Sequence, residues 1–168
     1  MDDLRLEIVE LKPGHLPTSR LEQLRDLLGG ESGPPPGLNP SALWVQRSTQ
    51  MFLRPETSIH TWQARQRDYQ LILWRGDRIV AELYGCLFPH RALVAGLHSD
   101  IPGGGTRLMR HFAHLAGHRP IRLNALSRAL GFYQKLGLQR QDGPPGHHSM
   151  IWPLPAQRAA ADLVASSL

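Results

Sequence analysis

Three apolar runs stand back to back in the middle of this chain: Tyr69–Trp74, Arg78–Phe88 and Ala92–Leu97. Arg75-Gly76-Asp77 separates the first pair and Pro89-His90-Arg91 the second. Gaps of that size hold a tight turn and leave no room for a helical crossover, so neighbouring runs must be antiparallel. A three-stranded meander is therefore the seed of the fold, and the remaining segments pack around it.

Ahead of the meander, Leu4-Arg5-Leu6-Glu7-Ile8-Val9-Glu10-Leu11 alternates apolar and polar residues, the mark of a half-buried strand. Pro13-Gly14 ends it. A capping box from Ser19 to Glu22 opens a helix with Leu21, Leu24, Leu27 and Leu28 on one stripe, closed by Gly29-Gly30. Gly29 to Pro40, with Pro34-Pro35-Pro36, reads as a long surface loop, and Ser41 to Phe52 as a second helix. Arg54 to Asp68 is polar and shows no period.

After the meander comes a glycine-rich loop, His98 to Gly105. A helix follows over Thr106 to Gly117, with Leu108, Met109, Phe112, Leu115 and Ala116 on its buried side. Ile121 to Ala125 is a short strand. Ser127 to Leu136 is a helix with Ser127 as N-cap and Gly137 at its end. Leu138 to Gln141 and Ser149 to Leu154 are short strands around Asp142-Gly143-Pro144-Pro145-Gly146. The order implies one α/β domain over residues 1–155, a mixed and mostly antiparallel sheet with helices on both faces, followed by an Ala-rich tail.

The chain's 168 residues suit one domain. One cysteine, Cys86, excludes an internal disulfide framework and any multi-cysteine metal site. The start Met1-Asp2-Asp3 is acidic and no apolar core follows it, unlike a signal peptide. No stretch approaches the roughly 20 apolar residues of a membrane span, so the expected setting is the cytoplasm. Net charge is +5 and arginine supplies nearly all of it, since Lys12 and Lys135 are the only lysines. Guanidinium groups suit phosphate contact, whether in a nucleic acid or a phosphorylated small molecule.

Chemistry concentrates in Ile101-Pro102-Gly103-Gly104-Gly105-Thr106-Arg107, between a strand and a helix. Glycines admit close approach of a ligand to the backbone. The first helical amides lack intrahelical acceptors, and with the helix dipole they form an anion site. Some twenty residues on stands Ala129-Leu130-Gly131-Phe132-Tyr133-Gln134-Lys135-Leu136-Gly137-Leu138.

This pairing resembles the GNAT acyltransferases, which carry a Gln/Arg-x-x-Gly-x-Gly/Ala loop opening a helix, then a strand, then a helix with Ala-x-x-x-Tyr-x-x-x-Gly-Phe. Gly103, Gly105, Ala129, Phe132, Tyr133, Gly137 and Leu138 match in order and at similar spacing, and the resemblance spans about Tyr69 to Leu154. It implies a sheet splayed beside the glycine loop, with acetyl-CoA or another acyl-CoA in the split as co-substrate and no metal. Gly103, Gly104, Gly105, Thr106 and Arg107 would hold the pyrophosphate through their amides. Leu97 and Ser99 would belong to the strand that pairs with the pantetheine arm. Ser127 would border the thiol, and Tyr133 would protonate the leaving thiolate, since a phenol keeps its proton at neutral pH. Two positions depart from the pattern: Asp100 stands where the family has Gln or Arg, and Leu126 where it has Asn. A carboxylate beside a diphosphate repels it, unless the loop is placed differently or Arg107 and Arg110 compensate.

An amine acceptor must lose a proton before it attacks a thioester. Candidate bases are His98, Asp100 and Glu82, with His98 favoured because its side-chain type titrates near neutrality. On this resemblance the expected acceptor is a small-molecule or peptide amine, with an amine carried on tRNA a further option, and the protein is expected as a monomer or homodimer. His111, His114 and His118 share a helical stripe with no carboxylate, which reads as a solvated face. Two other functions compete. A GNAT-like domain without cofactor would be a binding module. Phe132-Tyr133-x-x-Leu136-Gly137 also resembles the helix of vicinal-oxygen-chelate metalloenzymes, but too little chain follows it to complete that module.

Overall fold

The short turns fold as their length requires. β2 (Arg67–Arg75) and β3 (Arg78–Leu87) form a hairpin, and β4 (Ala92–Ser99) continues the meander on the other edge of β3. Gly76 takes φ 59° in the hairpin turn, a left-handed conformation that glycine adopts without strain. In this computed structural model, residues 3–11, 19–29, 37–53, 66–143 and 148–165 are described. The turn at Pro13-Gly14, the Pro34-Pro35-Pro36 connector, most of the polar stretch after Leu53, and Pro144-Pro145-Gly146-His147 lie outside them.

β1 (Leu4–Leu11) pairs antiparallel with β2 along its whole length. Two helices, α1 (Ser19–Leu27) and α2 (Pro40–Leu53), follow it. After the meander, α3 (Gly104–Ala116) crosses over to β5 (Ile121–Asn124), which pairs with β4 in parallel. A 3₁₀ turn over Ser127–Ala129 leads into α4 (Leu130–Leu136), then β6 (Gln139–Arg140), β7 (Ser149–Trp152) and α5 (Leu154–Ala165). Among the described residues seven strands lie in the order β1-β2-β3-β4-β5-β7-β6, and of their pairings only β4–β5 is parallel. The expected mixed sheet with helices on both faces is what the chain forms.

Each face has its own core. Leu71, Leu73, Leu83, Leu108, Met109, Phe112, Met150 and Trp152 meet on the side of α3, α4 and α5. Val9, Ile72, Trp74, Ile79 and Tyr84 pack on the other side against Leu21 and Leu24 of α1 and Ala42 and Val45 of α2. β2 and β3 are thus covered on both faces, which is why they read as continuous apolar runs rather than as alternation. Each fully buried large side chain contributes about 1.5–3 kcal/mol. Among the described residues no helix is long and apolar enough to cross a membrane.

Three local expectations shift. His98 and Ser99 belong to β4 rather than to the glycine loop. α3 begins at Gly104, two residues before Thr106. Ser127 caps no α-helix: it opens the 3₁₀ turn, and neither that turn nor α4 has a side-chain cap.

The decisive irregularity is in β4. Tyr84 faces Gly96 while Gly85 faces Val94, so Ala95 is an extra, bulged residue. β4 pairs with β5 only over Ala92–Val94. Beyond the bulge, from Ala95 to Ser99, β4 keeps β3 on one edge and leaves β5 on the other.

Candidate active site

That parting of β4 from β5 opens a groove of about 350 Å³. Leu97 and Ser99 of β4 form one wall. Ile101, Gly103 and Gly105 form the end, and Arg128, Ala129, Phe132 and Tyr133 the opposite wall. Spacing explains the opposite wall: Ala129, Phe132 and Tyr133 fall three and four residues apart, one face of a helical turn. Phe132 and Tyr133 meet edge to face with centroids 5.0 Å apart.

The turn into α3 is tightly braced. Ser99 Oγ donates to the Ile101 carbonyl at 2.7 Å and accepts from the Ile101 amide at 3.3 Å. Gly103 takes φ 77°, and its carbonyl accepts from the Arg107 amide at 3.0 Å. A Cβ on Gly104 would run into Ser99 Oγ, and one on Gly105 would lie 3.2 Å from Phe132 Cζ. The Gly104 amide reaches the Ile101 carbonyl at 3.3 Å. The Gly105 and Thr106 amides open the helix, where no residue one turn back within it can accept.

Of the residues expected to hold a ligand, Leu97, Ser99, Gly103, Gly105 and Tyr133 line the groove together. Gly104 is buried beneath the turn, and Thr106 and Arg107 stand half-buried in the first turn of α3. Ser127 is exposed beside the groove, with its Oγ 2.8 Å from His148 Nε2. Arg140 lies 3.4 Å from His148 Nδ1, and a guanidinium can only donate. Burial pushes the Tyr133 phenol up to about 12, which keeps it protonated throughout the neutral range.

A second polar site lies on the opposite face of β4. Leu97 and Ser99 point to the α3 side, so the intervening His98 points to α2, directly across from Glu82 on β3. His98 stacks against Trp44, centroids 6.1 Å apart, and its Nδ1 lies 3.1 Å from Ser41 Oγ and 3.5 Å from Asp100 Oδ1. The Asp100 carboxylate faces α2 rather than the glycine turn: it accepts from the Asn39 side-chain amide and from the Ser41 backbone amide at 3.1 Å. Burial pushes its pKa up, but those bonds and His98 outweigh it, so the carboxyl is held below its ordinary range. Glu82 is only 2% exposed. Its carboxyl is bonded by Ser48, whose Oγ also accepts from Gln70 at 2.7 Å, and burial pushes it up to about 7.

Sequence reasoning missed Ser41, Trp44 and Arg128. No local signal marks the first two as site residues, because their partners lie about forty to sixty residues away. Arg128 is different, since it adjoins Ser127. The His111, His114 and His118 stripe is exposed or half-exposed, and among the described residues no group of His, Cys, Asp or Glu is arranged to hold a metal ion.

A mixed sheet parted beside a glycine turn and backed by a tyrosine-bearing helix is the GNAT fold of acyl-CoA N-acyltransferases, and this protein has it. Among solved structures, an acyl-CoA N-acyltransferase from Pseudomonas aeruginosa aligns with a TM-score of 0.52 at 15% identity, over 89% of this chain and 100% of that one. The PaiA N-acetyltransferase from Thermoplasma acidophilum in complex with coenzyme A gives 0.55 at 15% identity, over 88% and 98%. Escherichia coli ElaA gives 0.51 at 19% identity, over 89% and 100%. No protein-family model and no curated protein matches the sequence.

Proposed function

We propose that the protein is an N-acyltransferase that passes an acetyl or other acyl group from acyl-CoA to a primary amine. One observation carries this reading: the edge of β4 beyond Ala95, unpaired among the described residues, the glycine turn and Tyr133 meet in a single groove. The amides opening α3 suit a diphosphate, and Arg107 and Arg128 add cations nearby. An amide-bearing pantetheine arm suits a free strand edge, which offers N–H and C=O groups in register. The same edge amides polarise a thioester carbonyl. The PaiA N-acetyltransferase, similar in fold, is in complex with coenzyme A, which supports acyl-CoA as the co-substrate.

The acceptor approaches from the α2 face. A second cavity of about 500 Å³ opens there, with Leu28, Leu38 and Trp74 in its wall and Asp77 and Arg78 at the β2–β3 turn. His98 takes a proton from the acceptor's ammonium, and the nitrogen lone pair attacks the thioester carbon. As the carbon–nitrogen bond forms, the carbon–sulfur bond breaks. Sulfur takes the Tyr133 proton, and the surplus proton on nitrogen restores the phenol through solvent. Glu82 lies too deep to meet an acceptor and is assigned to the contact between the sheet and α2. The reading of the chain as a cofactor-free binding module drew on Asp100 opposing a diphosphate. With that carboxylate bonded to Asn39 and Ser41, the objection loses its basis.

Thermal unfolding with and without acetyl-CoA tests the proposal. At 100 times its dissociation constant a ligand adds about 2.7 kcal/mol, or roughly 5–10 °C for a chain of this length. Mass spectrometry of the purified protein identifies the acyl group retained. No shift with acetyl-CoA or any longer acyl-CoA would sink the reading.

A further inference from the structure

The polar cluster on the α2 face decides which nitrogen of His98 carries the hydrogen. Ser41 Oγ lies 3.1 Å from the Val80 carbonyl and 3.1 Å from His98 Nδ1. A hydroxyl has one proton, and a carbonyl can only accept. With that proton donated to Val80, Ser41 presents a lone pair to Nδ1. The other neighbour of Nδ1 is Asp100 Oδ1 at 3.5 Å, an ionised carboxylate that also only accepts. Two acceptors beside Nδ1 place the hydrogen there, and a neutral imidazole has only one N–H. The unshared pair is then on Nε2.

Asp100 is itself held in place. Its backbone amide donates to Val80 at 2.8 Å, while its Oδ2 is fixed by Asn39 and by the Ser41 amide. Asn39 also donates to the Ile79 carbonyl at 2.7 Å. The carboxylate thus ties the start of α2 to the ends of β3 and β4, and His98 is clamped between it and the Trp44 ring.

We propose that Asp100 and Ser41 are positioning residues that hold His98 as its Nδ1–H tautomer and leave Nε2 free as the base. This rests on the acyltransferase reading for its purpose, though not for its geometry. In the reaction the acceptor's proton would arrive at Nε2, and the resulting imidazolium would be stabilised by Asp100 on its far side.

The test reads the tautomer directly, by long-range proton–nitrogen correlation of the ¹⁵N-labelled chain without ligand. The His98 signals are identified by their loss in His98→Gln. At pH 8 the wild type should show Nδ1 protonated and Nε2 bare. Asp100→Asn and Ser41→Ala should each move the ring toward the Nε2–H form. A wild-type ring protonated on Nε2, or variants that leave the tautomer unchanged, would overturn the proposal. Should Asp100→Asn fail to fold, Ser41→Ala carries the same measurement. In the catalytic arm Asp100→Asn should lower kcat on the order of 10²-fold with KM for acetyl-CoA unchanged; an unchanged kcat also overturns it. Wild-type protein inert with every acyl-CoA would instead sink the acyltransferase reading, while the spectrum still decides the tautomer.

Discussion

Burial leaves Glu82 holding a proton close to neutrality, because α2 packs over it and shuts out water. Its carboxyl rises from 4.5 to about 7, with loss of solvation the largest cause and hydrogen bonds from Ser48 and Gln70 only partly opposing it. The native state therefore keeps a proton that the unfolded chain releases. Stability from this group is intact below pH about 4.5, falls as pH rises towards 7, and is lost above, by at most about 3 kcal/mol. Glu82→Gln removes the titration while keeping the shape. Urea unfolding at pH 5 and pH 8 should show the wild type losing stability across that interval by more than the variant does, with the variant the more stable at pH 8. Equal slopes would mean that Glu82 is ionised in the fold. Alternation along β3 leaves both faces open to this residue in the sequence, and only the packing of α2 decides between them.

At the scale of elements, the glycine turn was legible and its neighbours less so. Gly103, Gly104 and Gly105 announce a tight turn; a Cβ on Gly104 would meet Ser99 and one on Gly105 Phe132 of α4, while the approach of a ligand to that backbone belongs to the proposal. Gly105→Glu should fill the groove, its side chain pressing on Phe132 and Leu97 at the edge of the α3-side core. The chain should still fold, at a lower unfolding temperature than wild type, while the stabilisation by acetyl-CoA disappears. Retained stabilisation would place the ligand elsewhere. Ser127 shows why a cap signal can mislead. A serine before a helix satisfies the capping rule, but here a 3₁₀ turn intervenes and the hydroxyl is engaged by His148. Gly85 and Gly96 flank the Ala95 bulge, and glycine inside a strand is a bulge signal, but only the pairing of β3 with β4 fixes which residue is the extra one.

Across the whole molecule, α5 closes the α3 side. Ala156, Ala160 and Ala161 pack against the core there, and small side chains let the two helices approach. Gln157 is fully buried: its carbonyl accepts from the Ile121 amide at 2.9 Å and its amide donates to the Arg119 carbonyl at 2.7 Å. One side chain thus ties α5 to the entry of β5, the strand whose divergence from β4 makes the groove. Gln157→Leu leaves two backbone groups unpartnered at similar volume and should cost about 2 kcal/mol, or roughly 4–8 °C in unfolding temperature. An unaffected transition, followed by calorimetry, would show that α5 is only loosely docked.

Short turns and apolar runs were enough to dictate the meander, since chain length leaves strands so joined no other way to pair. The glycines and Tyr133 marked the groove because backbone freedom and helical spacing are local properties. Two outcomes were not local. Where β4 leaves β5 depends on how many residues of each strand find partners. Which side of β4 meets acid, hydroxyl and indole depends on α2 bringing Asn39, Ser41 and Trp44 across dozens of residues. Strand periodicity puts His98 opposite Leu97 and Ser99, but only the helices packed on each face give those two sides different chemistry.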